Sequence, residues 1–219
     1  MVNIFLKAKR KIVNIIGKKI SFFRKSEVYD KKRQNFSIIS CNCIGGLLYH
    51  KYSMKFLSPT INLFFEARDF IKFVNNIKYY LSLELQFDDS SKEYPIGVLG
   101  DIRIHFLHYK SFADAKNAWY RRLKRINFEN MFFIFSDRDG FDKDCLDAFL
   151  LFKGKKVLFS HCKYDDPNVC FVRKDLKKRE VDDLTCYYGL TGKRVFEYYF
   201  DFEKWLYEGE CTDKCRLNQ

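Results

Sequence analysis

Two cysteines and a glycine pair follow a short apolar run in the first quarter of the chain. The run, residues 36–40, leads into Cys41-Asn42-Cys43 and then Gly45-Gly46. This pattern predicts a buried strand that ends in a turn and opens a helix. Peptide N–H groups and a helix N-terminus would stabilise the thiolate of Cys43, which makes Cys43 a candidate nucleophile. The alternative is a small, buried and inert cysteine at a strand end.

A reactive thiol needs a base, and histidine is the usual one. His105 lies on a predicted strand over residues 101–109, where Asp101 shares its face, and His108 lies near the end of that strand. His105 or His108 is the candidate base, and Asp101 is a further candidate catalytic residue. His161 directly follows another apolar strand and is a candidate for binding the substrate or donor. Each of these histidines could instead be a structural residue with a satisfied hydrogen bond.

Further residues have the chemistry to bind a substrate or donor. The N–H groups near Gly45 and Gly46 could form an oxyanion hole. In the loop over residues 137–140, Arg138 could hold an anion, Gly140 permits a tight turn, and Asp139 could bind sugar hydroxyls or a divalent metal. A turn with an internal ion pair is the alternative. A helix is predicted over residues 111–125, and its basic face carries Arg122 and Arg125. These two cations could hold a diphosphate or face solvent.

Strand and helix patterns alternate along the body of the chain. This alternation predicts a three-layer α/β/α fold with a mostly parallel or mixed sheet. Because the carboxyl ends of parallel strands share one edge, Cys43, the loop at 137–140 and His161 are expected to gather there. The predicted organisation is a basic amphipathic helix and linker (1–33), an α/β domain (34–207) and a polar tail (208–219).

The net charge of +12 is concentrated in the first 26 residues, which hold eight Lys or Arg and no acid, whereas the remainder holds 32 basic and 28 acidic residues. The charge of the body therefore does not indicate nucleic-acid binding. Residues 1–26 also place apolar side chains on one helical face, which favours an anionic membrane surface as the partner. A helix packed on the body and a frayed tail are the alternatives.

No secretory signal or membrane-spanning run is recognisable, so the eight cysteines are expected to be reduced thiols. The spacing of the cysteines does not indicate a metal site. We expect a cytoplasmic protein that is peripheral at the inner face of the membrane.

Several motifs, in one order, together resemble a bacterial family of unassigned function whose members are commonly labelled exopolysaccharide biosynthesis proteins. The resemblance runs from about Phe36 to Leu206, and Cys43 matches it, whereas members often have Asn in place of Cys41. It implies an α/β fold and a cytoplasmic role in building surface glycans. The motifs are Ser40-x-x-Cys43-x-Gly45-Gly46, Ser58-Pro59-Thr60, Gly100-Asp101-Ile102, His105-x-x-His108-Tyr109, Trp119-x-x-Arg122-x-x-Arg125-Ile126-Asn127 and Arg138-Asp139-Gly140.

The favoured hypothesis is a transferase that moves an acyl group from a coenzyme A ester to a hydroxyl of a sugar or lipid-linked glycan. Cys43 would carry or line the acyl group, and Arg122, Arg125 or Arg138 would hold the phosphates of the donor. One alternative is a glycosyl or phosphosugar transferase that uses a nucleotide-sugar, with a divalent metal as a possible cofactor. Another is a non-enzymatic assembly factor.

Overall fold

The computed structural model describes residues 2–23, 35–90, 93–172 and 179–208. The predicted linker, and all of the predicted tail except residue 208, lie outside these ranges. The helices are α1 (Val2–Phe23), α2 (Ile44–Lys51), α3 (Ala67–Asn75), α4 (Ile77–Ser82), α5 (Phe112–Leu123), α6 (Lys143–Leu151), α7 (Val195–Tyr199) and α8 (Phe202–Glu208). The strands are β1 (Ser37–Ser40), β2 (Gln86–Asp88), β3 (Ile96–Leu99), β4 (Ile102–His105), β5 (Met131–Ser136), β6 (Lys155–Ser160) and β7 (Val169–Phe171).

The strands form two sheets. Sheet A has the order β1-β5-β6-β7, and every neighbouring pair is parallel. Sheet B has the order β2-β3-β4 and is antiparallel. The segment around Phe64 joins them, because the N–H of Phe65 bonds to the carbonyl of Cys41 while Phe64 pairs with His105.

Sheet A is buried on both faces, as its continuous apolar strands lead one to expect. In β5, Phe132 and Ile134 contribute to a core with α2, α7 and α8, whereas Phe133 and Phe135 contribute to a core with α3 to α6 and sheet B. Side chains alternate between the two faces of a strand, so sheet A separates these two cores. The predicted three-layer α/β/α class with a mostly parallel sheet is therefore confirmed.

The strand predicted over residues 101–109 is shorter in the structure. It spans Ile102–His105, because Gly100 and Asp101 form the turn of the β3–β4 hairpin. Gly100 has φ +60°, a conformation that glycine adopts without strain. Asp101 and His105 thus lie at opposite ends of β4, roughly 13 Å apart along the strand.

Helix α1 lies against the segment that precedes α7. Arg10 forms an ion pair with Asp183 at 3.2 Å and donates to the sulfur of Cys186 at 2.9 Å. The side-chain oxygen of Asn14 accepts from the N–H of Tyr187 at 3.1 Å. A Cβ on Gly17 would come within 2.4 Å of the Tyr187 ring, so only glycine fits this approach. Of the predicted alternatives, the structure has the helix packed on the body.

Candidate functional site

The carboxyl ends of β1, β5 and β6 lie side by side. The N–H of Cys41 bonds to the carbonyl of Ile134, and the Asn42 side-chain amide donates to the Ser136 hydroxyl at 3.4 Å. The N–H of Asp137 in turn bonds to the carbonyl of Phe159 at 3.0 Å. The residues that follow these three strands therefore share one edge of sheet A.

Asp137 is the most fully hydrogen-bonded side chain of this edge. Its carboxylate accepts from the hydroxyl of Ser160 at 2.8 Å, the N–H of His161 at 2.6 Å and the N–H of Val181 at 2.8 Å. The imidazole Nδ1 of His161 is its fourth partner. Asp137 is only 4% exposed. A buried carboxylate with four donors is held in one orientation.

The bond to Asp137 sets the tautomer of the neutral His161 imidazole. The carboxylate accepts a hydrogen bond from Nδ1–H, so the acceptor lone pair of the ring lies at Nε2. That Nε2 lies 3.2 Å from the sulfur of Cys162. The result is a thiol, an imidazole and a carboxylate in hydrogen-bonding series, the arrangement in which a histidine accepts the proton of a nucleophile.

Local structure fixes both ends of this series. The N–H of Cys162 donates to the hydroxyl of Ser160 at 3.0 Å, which holds the turn after β6. The phenol of Tyr164 lies beside the thiol: burial raises its pKa, as do the charge and hydrogen bond of Cys162. The His161 side chain is 31% exposed, so a substrate can approach from the sheet edge.

The loop after Asp137 turns sharply away from the sheet. Asp139 and Gly140 have φ +56° and +85°, and the carbonyl of Asp139 accepts from the N–H of Ala67 at 2.9 Å. Arg138 is half-buried, and its Nε has no hydrogen-bond partner among the residues that the structure describes. Burial raises the pKa of Asp139, while the charge of Arg138 opposes that rise. Arg138 is thus a cation at this edge with an Nε donor that no described residue accepts.

Arg138 and Asp139 also line a small pocket. Its volume, about 10 Å³, is enough for roughly one water molecule. Most of its wall is apolar, and its other lining residues are Cys41, Phe65, Ala67, Phe70, Ile71, Phe135, Ser136 and Phe141.

Cys43 lies at the same edge but has a different environment. It is the N-cap residue of α2, and its sulfur lies 4.0 Å from the carbonyl of Leu63. Burial, together with the charge of Asp183, raises its pKa to about 11. The helix N-terminus was expected to stabilise the Cys43 thiolate, but burial outweighs that effect. Cys41 is buried more deeply still, and burial raises its pKa to about 12.

Gly45 and Gly46 lie in the first turn of α2. A Cβ on Gly45 would come within 3.2 Å of Ser40, and a Cβ on Gly46 within 3.3 Å of Ile61. The two glycines therefore let α2 pack closely against β1 and the segment around Ile61. Both residues are buried, and the N–H of Ile44 is bonded by the side chain of Asn42.

The other predicted catalytic residues lie on β4 or in the turns on either side of it. His105 is only 8% exposed and stacks on Phe64 with ring centroids 4.4 Å apart. Its pKa is lowered by burial. Asp101 sits in the hairpin turn, where it bonds to Lys72 at 2.8 Å and to the phenol of Tyr80 at 2.7 Å. His108 is exposed in the turn that precedes α5. The structure does not bring Asp101 and His105 together.

Arg122 lies in the last turn of α5, and Arg125 follows that helix. Arg122 is 6% exposed, and its guanidinium donates to the carbonyl of Ile61 and to the hydroxyl of Tyr109. The chain then reaches Asn127, whose N–H bonds to Ser37, the first residue of β1. The carbonyl that Arg122 binds belongs to the segment that packs on Gly46 in the first turn of α2. Within the described ranges, no hydrogen bond or ion pair joins Arg122 or Arg125 to the series at Asp137.

Sequence reasoning included His161 but missed Cys162 and the role of the Asp137 side chain. The available signal was a strand–helix–strand unit whose two strands end in Ser136-Asp137 and Ser160-His161-Cys162. Neighbouring parallel strands bring such endings together. No group of three or more His, Cys, Asp and Glu side chains placed to hold a metal ion occurs in the described ranges.

The fold and this edge define an α/β protein with a cysteine, a histidine and an aspartate in series beyond its parallel strands. The chain belongs to the family described as Domain of unknown function (DUF1919), which matches residues 12–207. The match includes the second half of α1, which the motif resemblance did not cover. A protein from Haemophilus influenzae named "Uncharacterized protein" is 34% identical over 201 residues, which cover 90% of this chain and 97% of the relative.

Proposed function

We propose that the protein is a transferase that moves an acyl group to a sugar hydroxyl through a thioester on Cys162. The observation that carries the proposal is the bonded series from Cys162 through His161 to Asp137. A thiol becomes a strong nucleophile when a neighbouring base accepts its proton, and an oriented imidazole is the usual base. This assignment moves the acyl-carrying role from Cys43 to Cys162.

In the first step, His161 Nε2 accepts the thiol proton, and the sulfur of Cys162 attacks the carbonyl carbon of a coenzyme A thioester. The carbon–sulfur bond to coenzyme A breaks, and the departing thiolate takes the proton from the imidazolium. In the second step, Nε2 accepts the proton of a sugar hydroxyl while its oxygen attacks the enzyme thioester. The sulfur of Cys162 leaves and regains that proton, so the enzyme returns to its starting state.

Charge near the series supports an anionic donor. Arg138 directly follows Asp137, and its Nε is unpaired within the described part of the chain. Guanidinium groups bind phosphates in two-pronged geometry, so Arg138 suits a phosphate of coenzyme A. The acceptor class, a sugar or lipid-linked glycan in surface polysaccharide biosynthesis, is supported by the motif resemblance. The proposed location is the cytoplasm, at the inner face of the membrane.

The test is to trap the acyl-enzyme. The full-length protein is incubated with acetyl coenzyme A or p-nitrophenyl acetate, quenched in acid and digested, and the modified cysteine is identified by mass spectrometry. We expect acetylation of Cys162, none in Cys162→Ala, and a rate lower by roughly 10²–10⁴-fold in His161→Ala.

Cys43→Ala is the matched control, because it removes another half-buried thiol from the same edge. It should acetylate at Cys162 at the normal rate. Acetylation of Cys43 in the wild type, or an unchanged total yield in a folded Cys162→Ala, would contradict the proposal.

A further inference from the structure

One side of α1 is docked on the body. Arg10, Asn14 and Gly17 lie on that side at intervals of four and three residues, and Ile20, three residues further, packs against Gly192. The side chains on the opposite side are therefore directed away from the body.

Three isoleucines lie on that opposite side. Ile12 is 57% exposed, Ile15 is 51% exposed and Ile16 is 37% exposed. Soluble proteins rarely leave three neighbouring large aliphatic side chains in water without a partner for them. The outward face of α1 thus has the apolar part of a binding surface.

Exposed lysines surround the isoleucines. Lys19 lies on the same outward side of the helix, and Lys9, Lys11 and Lys18 lie on its flanks. An apolar stripe bordered by cations fits the boundary between the acyl chains and the anionic headgroups of a membrane. A second copy of this face is a poor partner, because a symmetric contact would bring the two sets of lysines together. Among the described residues, no helix is long and apolar enough to cross a membrane.

We propose that the outward face of α1, formed by Ile12, Ile15 and Ile16 with their surrounding lysines, binds an anionic membrane surface while the opposite face stays docked on the body. The isoleucines enter the headgroup boundary, and the lysines contact lipid phosphates. This inference is independent of the acyl-transfer proposal, because it involves no residue of the series at Asp137.

The experiment is vesicle co-sedimentation of the full-length protein. Vesicles of phosphatidylcholine alone are compared with vesicles that also contain phosphatidylglycerol, at low and high salt. We expect binding to the anionic vesicles, weaker binding at high salt, and a loss of affinity of about fivefold for each of Lys11→Gln and Lys18→Gln.

The triple variant Ile12→Asp, Ile15→Asp, Ile16→Asp should lose about a hundredfold in vesicle affinity. The matched control is Leu151→Asp, which makes the same kind of change at a leucine of α6 that is 75% exposed. Leu151→Asp should bind the vesicles with the affinity of the wild type. Cys162→Ala should do so too, so a failure of acyl transfer can be distinguished from a failure of vesicle binding.

Unchanged vesicle binding in the folded triple variant would overturn the inference. The inference would also be overturned if the wild type did not bind the vesicles but formed a dimer in analytical ultracentrifugation, and the triple variant did not form that dimer. That result would assign the face to a second copy of the chain.

Discussion

Cys43 and Cys162 are half-buried thiols at one edge of sheet A, and their alkylation by iodoacetamide should differ in rate. Burial raises the pKa of Cys43 to about 11, against an ordinary value of 9.0. Only the thiolate reacts. At pH 8 about one Cys43 in 1,000 is then a thiolate, against about one in 11 for an ordinary thiol, which predicts a rate about ninetyfold lower.

Raising the pH from 8 to 10 is the perturbation. The same arithmetic predicts that the alkylation rate of Cys43 rises about ninetyfold over this interval, because its thiolate fraction increases to about one in 11. Cys162 should react faster than Cys43 at pH 8, since the imidazole of His161 lies 3.2 Å from its sulfur as a neighbouring base. Peptide-resolved mass spectrometry measures both rates in one sample.

His161→Ala is the diagnostic variant for this measurement. It should slow the alkylation of Cys162 at pH 8 and leave that of Cys43 unchanged. The reasoning would be refuted if Cys43 in the native protein reacted at pH 8 as fast as a cysteine in a short peptide. That result would return Cys43 to the role of nucleophile.

Two further predictions concern stability. Lys156 is buried, and its ammonium donates to three carbonyls at the end of α6, those of Phe149, Leu150 and Phe152. Lys156→Met should lower the free energy of unfolding by about 3 kcal/mol and the Tm by roughly 6–12 °C. Thermal unfolding measures this, and Lys155→Met, at an exposed position, is the control. The Lys72 ammonium and the Tyr80 phenol hold the pKa of Asp101 below its usual 3.8, so its stabilisation is present above about pH 4 and lost as the pH falls through the lowered pKa. The difference in Tm between wild type and Asp101→Asn should therefore shrink as the pH falls below 4, and a constant difference over the acid range would contradict this assignment.

The central sheet could be predicted from the sequence because each of its strands is a short apolar run that can be recognised without knowledge of the rest of the fold. The apolar runs in β5 and β6, with a helix between them, are sufficient for parallel pairing and for a shared carboxyl edge. The expectation that Cys43, the loop at 137–140 and His161 lie at that edge follows from this topology. It needed no knowledge of side-chain packing.

The roles of single side chains depend on non-local contacts, which the sequence does not contain. The thiol of Cys43 lies against the carbonyl of Leu63, twenty positions along the chain. Arg122 lies on a helix face that looks solvent-exposed by periodicity, but the carbonyl of Ile61 binds it from another segment. Asp101 appeared to share a strand face with His105 because alternation alone does not show that Gly100 begins a turn.

Helix α1 docks on a segment that is synthesised long after it. Arg10 and Asp183 are 173 positions apart, so at about 5–20 residues per second roughly 9–35 s pass between their addition to the chain. During that interval the side of α1 that carries Arg10, Asn14 and Gly17 has no docking segment to meet. The attachment of α1 to the body is therefore among the last contacts that the growing chain can form.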